Sequence, residues 1–258
     1  MKLIKEIYSY RQMIYSLVRR DLRGRYKGSI LGFLWTFINP LMQLVIYTVV
    51  FSTILQSNID KYYLFLFVAL IPWIFFSSAL TGGASAITSQ QSMVTKIYFP
   101  REVLPIAYVT SCFVNMLYCF IVVFVVVLVS GVGVNFVAIL FLPLVMVIEY
   151  VMALGIALIS SSITVYFRDF EHISNILSMA WIYLTPVMYS IDIVPEDLKH
   201  IFYMNPMTSI IMAYRDILYY TKIPNVETLV SAILFGIITL LIGVLLFGKL
   251  KKRFAEEM

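Results

Sequence analysis

Six stretches of this chain are each long and apolar enough to cross a lipid bilayer, and no other feature limits its possible folds so tightly. They lie near residues 31–55, 62–86, 103–130, 136–164, 173–191 and 228–248. A crossing takes about 20 helical residues, because hydrocarbon offers no water to satisfy free backbone groups. Composition agrees: 61% of the residues are hydrophobic and 13% charged, whereas soluble domains hold about half and about a quarter. The expectation is an all-α integral membrane protein forming a single transmembrane domain over 1–258. It would have a cytoplasmic helix at 1–30, six spans within 31–248 and a basic cytoplasmic tail at 249–258. A cleaved signal is set aside, since about 30 polar or amphipathic residues precede the first run, far more than the short basic region of a secretory leader.

Charge sets the orientation. With the N-terminus in the cytoplasm, Lys61, Lys199, Arg215 and Lys222 fall outside, and all the others of the 19 Lys and Arg fall inside. The positive-inside rule then places both termini in the cytoplasm. It also accounts for the net charge of +5 without nucleic acid as a partner. Within the first 30 residues Ile4, Ile7, Ile14, Leu17, Val18 and Leu22 recur at helical spacing, while Arg11, Arg19, Arg20 and Arg23 take other faces. Such a helix lies in the headgroup plane with its apolar side in lipid, serving as a lipid anchor or as a docking surface for a cytoplasmic partner.

Catalytic chemistry finds no foothold. His172 and His200 fall on opposite sides of the membrane, so neither a His-based metal site nor a Ser/His/Asp arrangement is expected. Cys112 and Cys119 are about 10 Å apart along one helix, too far for a disulfide. The string GVLLFGKL at 243–250 imitates a P-loop, but Leu250 stands where a Ser or Thr must hold magnesium, and the glycines belong to an apolar helix. Any ATP and Mg²⁺ therefore belong to another chain. Glu149 is the one acid clearly inside a span, and three roles are open to it: a protonated acid, a partner across a helix interface, or a substrate contact.

Uncharged polar residues form stripes. Thr36, Asn39, Gln43 and Tyr47 in the first span occupy an arc of about 80°, and so do Ser174, Ser178, Trp181, Thr185 and Tyr189 in the fifth. Stripes of this kind serve either as glue between helices or as the lining of a conduit for a hydrogen-bonding substrate. Aromatic residues make up 16% of the chain, many at mid-span, and flat faces with polar tips suit sugar rings.

Four segments carry a family resemblance: RRDLRGRYKGSILGFLWTFINPL (19–41), IPWIFFSSAL (71–80), VTKIYFPREVLP (94–105), and YFRDFEHISNILSMAWIYLTPVMYS (166–190) leading to NPMTSIIMAYRDIL (205–218). With these in this order, the chain resembles the membrane subunit of type-2 ABC exporters for lipid-linked polysaccharides, the group that exports O-antigen, capsule and wall teichoic acid. The resemblance implies a bacterial cytoplasmic-membrane permease that moves an undecaprenyl-type substrate, works as a homodimer among membrane lipids, and sits above two cytoplasmic ATPase subunits. It implies a channel lined by the two striped spans. It makes Arg19, Arg20, Asp21, Arg23, Arg25 and Tyr26 part of an interface helix, and Arg168 and Asp169 part of a cytoplasmic loop. Lys96, Tyr98, Phe99, Pro100, Arg101 and Glu102 become the coupling segment, with Tyr98 and Phe99 plugging into the ATPase. Pro186, Asn205, Pro206 and Arg215 fall to re-entrant gate helices at the outer mouth. Physically the coupling segment is sound, because two prolines and three charges keep it from merging with the third span. A drug or small-lipid exporter of the same fold, and an ion-coupled carrier or a membrane scaffold, are the alternatives.

Overall fold

The computed structural model describes residues 2–25 and 27–257, and among these there is helix but no strand. Two short helices come first, α1 (Lys2–Ser9) and α2 (Arg11–Gly24). The first span runs from Gly32 to Ile54, its centre being α3 (Trp35–Thr48). Then follow α4 (Tyr62–Ala84), the short α5 (Gln91–Lys96), α6 (Val103–Ser130), the single turn α7 (Phe136–Ile139) and α8 (Leu142–Tyr166). The chain continues through α9 (Phe170–Leu184), α10 (Glu196–Met204), α11 (Pro206–Leu218), α12 (Val226–Leu250) and the terminal turn α13 (Phe254–Glu257).

Helix α4 is the hub. Its sequence is apolar on every face, and a helix of that kind has to be enclosed by others. It touches α3, α6, α8, α9 and α11, and Leu64 to Leu70 are buried without interruption. Where α6 passes it, the Tyr108 hydroxyl occupies the space a side chain at Gly82 would need. Two glycines bring the backbones of α8 and α12 together. A Cβ on Gly155 would lie 2.6 Å from the Leu240 nitrogen, and one on Gly243 would lie 2.6 Å from the Gly155 carbonyl oxygen. Small residues let the two backbones meet, the means by which helices associate in a solvent as apolar as themselves. Gly243 thus has a packing role inside a continuous helix, and the P-loop-like string is part of α12.

Pro40 lies inside α3 and cannot donate to the Thr36 carbonyl. The Cys119 thiol, reaching across from α6 at 3.3 Å, supplies the missing donor. Both cysteines are free.

Five helices among the described residues are long and apolar enough to cross a membrane, and the expected span at 173–191 is not one of them. Helix α9 has 15 residues, a rise of about 22 Å against a hydrocarbon core of about 30 Å. Thr185 is extended, at φ −113° and ψ 132°, because the residue before a proline is pushed out of the helical region and Pro186 follows. The freed carbonyls are taken by residues much later in the chain, as described below.

The N-terminal helix also departs from expectation. Ile14 and Leu17, expected in lipid, pack with Tyr10 and Met13 against a second buried cluster that contains Ile87, Val94, Phe99, Val103, Leu104, Phe247 and Phe254. Helix α2 leans on α6. The side chain of Ile4 and the whole of Tyr26 fall outside the described set.

Candidate functional site: a polar cleft and its two ends

The first-span stripe opens onto a cleft of about 440 Å³ between α3, α4 and α6. Asn39 and Gln43 are exposed in it, beside Trp35 and Met42. The opposite walls carry Ser78 from α4 and Asn115, Cys112 and Cys119 from α6. Thr36 turns its backbone side to Cys119 and is 1% exposed, and Tyr47 packs against the main core. The stripe is therefore part lining and part packing. Asn115 escaped the sequence reading, although a lone amide in the apolar run CFVNMLY was a usable signal.

Arg25 lines one end of the cleft. Its guanidinium donates to Asp21 Oδ2 at 3.0 Å and to Ser111 Oγ at 3.1 Å, with Cys112 Sγ also at 3.1 Å. Ser111 in turn hydrogen-bonds Asp21. Arg19, Arg20, Arg23 and Arg25 are all exposed, and the Arg25 guanidinium reaches Ser111 and so ties α2 to α6.

The fifth-span stripe faces the other way. Ser178 and Ser77 share a hydrogen bond of 2.6 Å between α9 and α4, and Ser174 donates to its own helix at the Glu171 carbonyl. Thr185 is fully buried, bonded to the Trp181 carbonyl and to Asn205. Trp181 stacks edge-on with Phe76 at 5.1 Å and donates its indole N–H to Asn205, and the half-buried Tyr189 donates to the Tyr183 carbonyl at 2.5 Å. Ser178, Trp181 and Thr185 are thus bonded to neighbouring segments and Ser174 and Tyr189 to their own, so within this single chain the stripe serves packing. The side of α9 left open carries Ile176, Met179 and Tyr183.

Two residues hold together the end of the bundle where α9 stops. Asn205 donates to the Leu184 carbonyl at 2.9 Å and caps α11 by accepting from the Met207 N–H at 3.1 Å, with Pro206 as the first helical residue. Arg215, 4% exposed, donates to the carbonyls of Pro186 (2.6 Å), Val187 (2.7 Å), Tyr189 (3.3 Å) and Phe65 (3.4 Å). Its guanidinium lies 3.5 Å above the Phe65 ring centroid. A cation expected outside by topology is thus enclosed in protein. Glu149 has a partner across a helix interface, accepting from the Tyr214 hydroxyl at 2.6 Å.

At the opposite end, α5 is followed by an extended Ile97, and then Tyr98 and Phe99 point in opposite senses. Tyr98 is 81% exposed and Phe99 is 1% exposed within the second cluster. The plug reading therefore fails for Phe99, a core residue, and stays open for Tyr98 with the exposed Ile97. Lys96 is exposed, Pro100 is buried and Arg101 half-buried, and Glu102 pairs with Lys251. Arg168 lines a small cleft with Gln91, Thr164 and Glu171, and the neighbouring Asp169 is exposed. Among the described residues no three His, Cys, Asp or Glu side chains converge as a metal site would need.

Comparison with known proteins bears on what such a cleft serves. The profile of the ABC-2 type transporter family matches residues 12–219. The chain is 34% identical to the O-antigen export system permease protein RfbA of Myxococcus xanthus, over 100% of this chain and 99% of the relative. It is 32% identical to the O-antigen export system permease protein RfbA of Klebsiella pneumoniae, over 93% and 92%. The polysialic acid transport protein KpsM of Escherichia coli is more distant, 23% identical over 90% and 91%.

Proposed function

This chain belongs to the ABC-2 type transporter family, and on that premise we propose that it is the permease subunit of an ATP-driven exporter that moves undecaprenyl-linked polysaccharide across the bacterial cytoplasmic membrane. The observation that carries this reading is similarity over the whole length to permeases named for O-antigen export, with the capsule-type relatives further away. O-antigen is accordingly the favoured class of cargo.

In this reading two copies stand side by side, and the open sides of α3 and α9 face a shared lumen. Asn39 and Gln43 offer amide donors and acceptors to sugar hydroxyls, and Tyr183 offers a flat face on α9. Six crossings arise if α9 and the extended 185–190 segment together complete the fifth. Asn205 and Arg215 give 185–190 its backbone partners, and irregular backbone is tolerated at membrane depth only against protein or water. Helices α10 and α11 then form the re-entrant outer gate, while both termini, α2 at the membrane surface and α5 are cytoplasmic. Two copies of a separate ATPase hold ATP and Mg²⁺ and push on the exposed Ile97 and Tyr98.

Deletion of the gene in its host tests the proposal. Surface polysaccharide should vanish and lipid-linked polymer should accumulate on the cytoplasmic side, with both reversed by the intact gene. A deletion strain with parental surface polysaccharide would remove the proposal.

A further inference from the structure

Beyond α12 the chain tightens through the turn Lys251–Arg253 and runs on as α13, which contacts α8. Phe254 is fully buried, edge-on to Phe247 at 5.4 Å and near Tyr166 at 6.2 Å. Tyr166, at the end of α8, donates its hydroxyl to the Leu250 carbonyl at 2.8 Å. The cluster that receives Phe254 also holds Val94, Phe99 and Val103 from the segment that follows α4. Across this cluster Lys251 Nζ reaches Glu102 Oε1 at 2.5 Å, and Glu102 is only 5% exposed. A cation that serves only as a topology signal needs no partner and stays solvated. Lys251 instead compensates a buried carboxylate, which is costly to leave alone.

We propose that Lys251 and Phe254 form a brace that fixes the 97–102 turn to the last span and so sets where Tyr98 meets the ATPase. The proposal rests on the reading that this turn is the ATPase contact. Its physical basis is the state of the turn itself. Ile97 is extended, and although the Pro100, Arg101 and Glu102 carbonyls accept backbone N–H bonds from Val103, Leu104 and Ile106 at the start of α6, Tyr98 and Phe99 lie between the two helical frames. A thrust on Tyr98 moves the spans only if the turn is pinned, and the pins are the buried Phe99 within the turn, with Phe254 in the same cluster, and the Glu102–Lys251 pair on its far side. Lys251 and Phe254 are positioning residues, acting through Glu102 and Phe99.

The test uses the full complex with its ATPase and reads ATP hydrolysed per polymer exported. Lys251→Glu and Glu102→Lys should each raise that ratio about fivefold or more, the low end of ordinary coupling between sites, while the ATPase still co-purifies. The double variant with the charges exchanged should return the ratio toward that of the parent. A merely structural pair would lower the yield of complex and leave the ratio per complex unchanged, which would overturn the proposal. If the reversals fail to assemble, Glu102→Gln and Lys251→Met, which keep the shape, carry the test, and a parental ratio in both overturns the brace. Should no ATPase co-purify with the parent protein, the transporter reading fails and the brace with it.

Discussion

Arg215→Met tests how the segment after α9 is held. The guanidinium makes two short bonds, 2.6 Å to the Pro186 carbonyl and 2.7 Å to the Val187 carbonyl, and two longer ones to Tyr189 and Phe65. Methionine fills much of the stem volume but donates nothing. Two buried carbonyls are then left without a donor, at about 1–3 kcal/mol each. Removing a buried cation returns part of this, since its own desolvation is no longer incurred, and the net loss is about 2–4 kcal/mol. The 185–190 segment has no helical ladder of its own, so the loss falls on local opening rather than on the whole bundle. The assay is maleimide labelling of Val187→Cys in lipid nanodiscs, with Cys112 and Cys119 replaced. Val187 is fully buried, and a shift of about 3 kcal/mol should speed its labelling on the order of a hundredfold. Arg215→Lys should fall between, because a point charge cannot face carbonyls on several sides as a planar fork does. If Val187→Cys labels as slowly when combined with Arg215→Met as it does alone, the pinned-segment argument is wrong.

Three further outcomes follow from the same geometry. Gly155→Ala should destabilise the purified protein by about 1–3 kcal/mol, read as a lower thermal midpoint, because its Cβ meets α12 backbone at 2.6 Å and backbone cannot rotate away. Gln43→Trp should block export of long chains while assembly stays normal, whereas Ser178→Trp should impair assembly, because one side chain borders open space and the other is bonded to Ser77; the reverse pattern would show the lumen assignment to be inverted. Phe99→Ala should cost about 3–5 kcal/mol of stability, whereas Tyr98→Ala should leave the fold intact and weaken ATPase co-purification, since one ring is buried and its neighbour is 81% exposed.

The apolar segments, the all-helical class and the family were legible in the sequence because each is written locally. Hydrophobic run length and motif order need no knowledge of what lies opposite. The α8–α12 seam came only with the structure: Gly243 reads in the sequence as part of an apolar helix, and nothing there sets Gly155 opposite it. The facing of side chains was decided only by tertiary structure. A polar stripe states that one side of a helix is polar and leaves open what lies across from it: for Gln43 it is a cleft, and for Ser178 it is Ser77. Tyr98 and Phe99 are adjacent aromatics of nearly the same chemistry, and an extended Ile97 beside a buried cluster sends one outward and the other inward. The fifth span reads as apolar to residue 191, yet its helix stops at Leu184. Pro186 hints at the stop, but an extended segment in an apolar setting persists only when its carbonyls find donors, and Asn205 and Arg215 bring those donors from far along the chain.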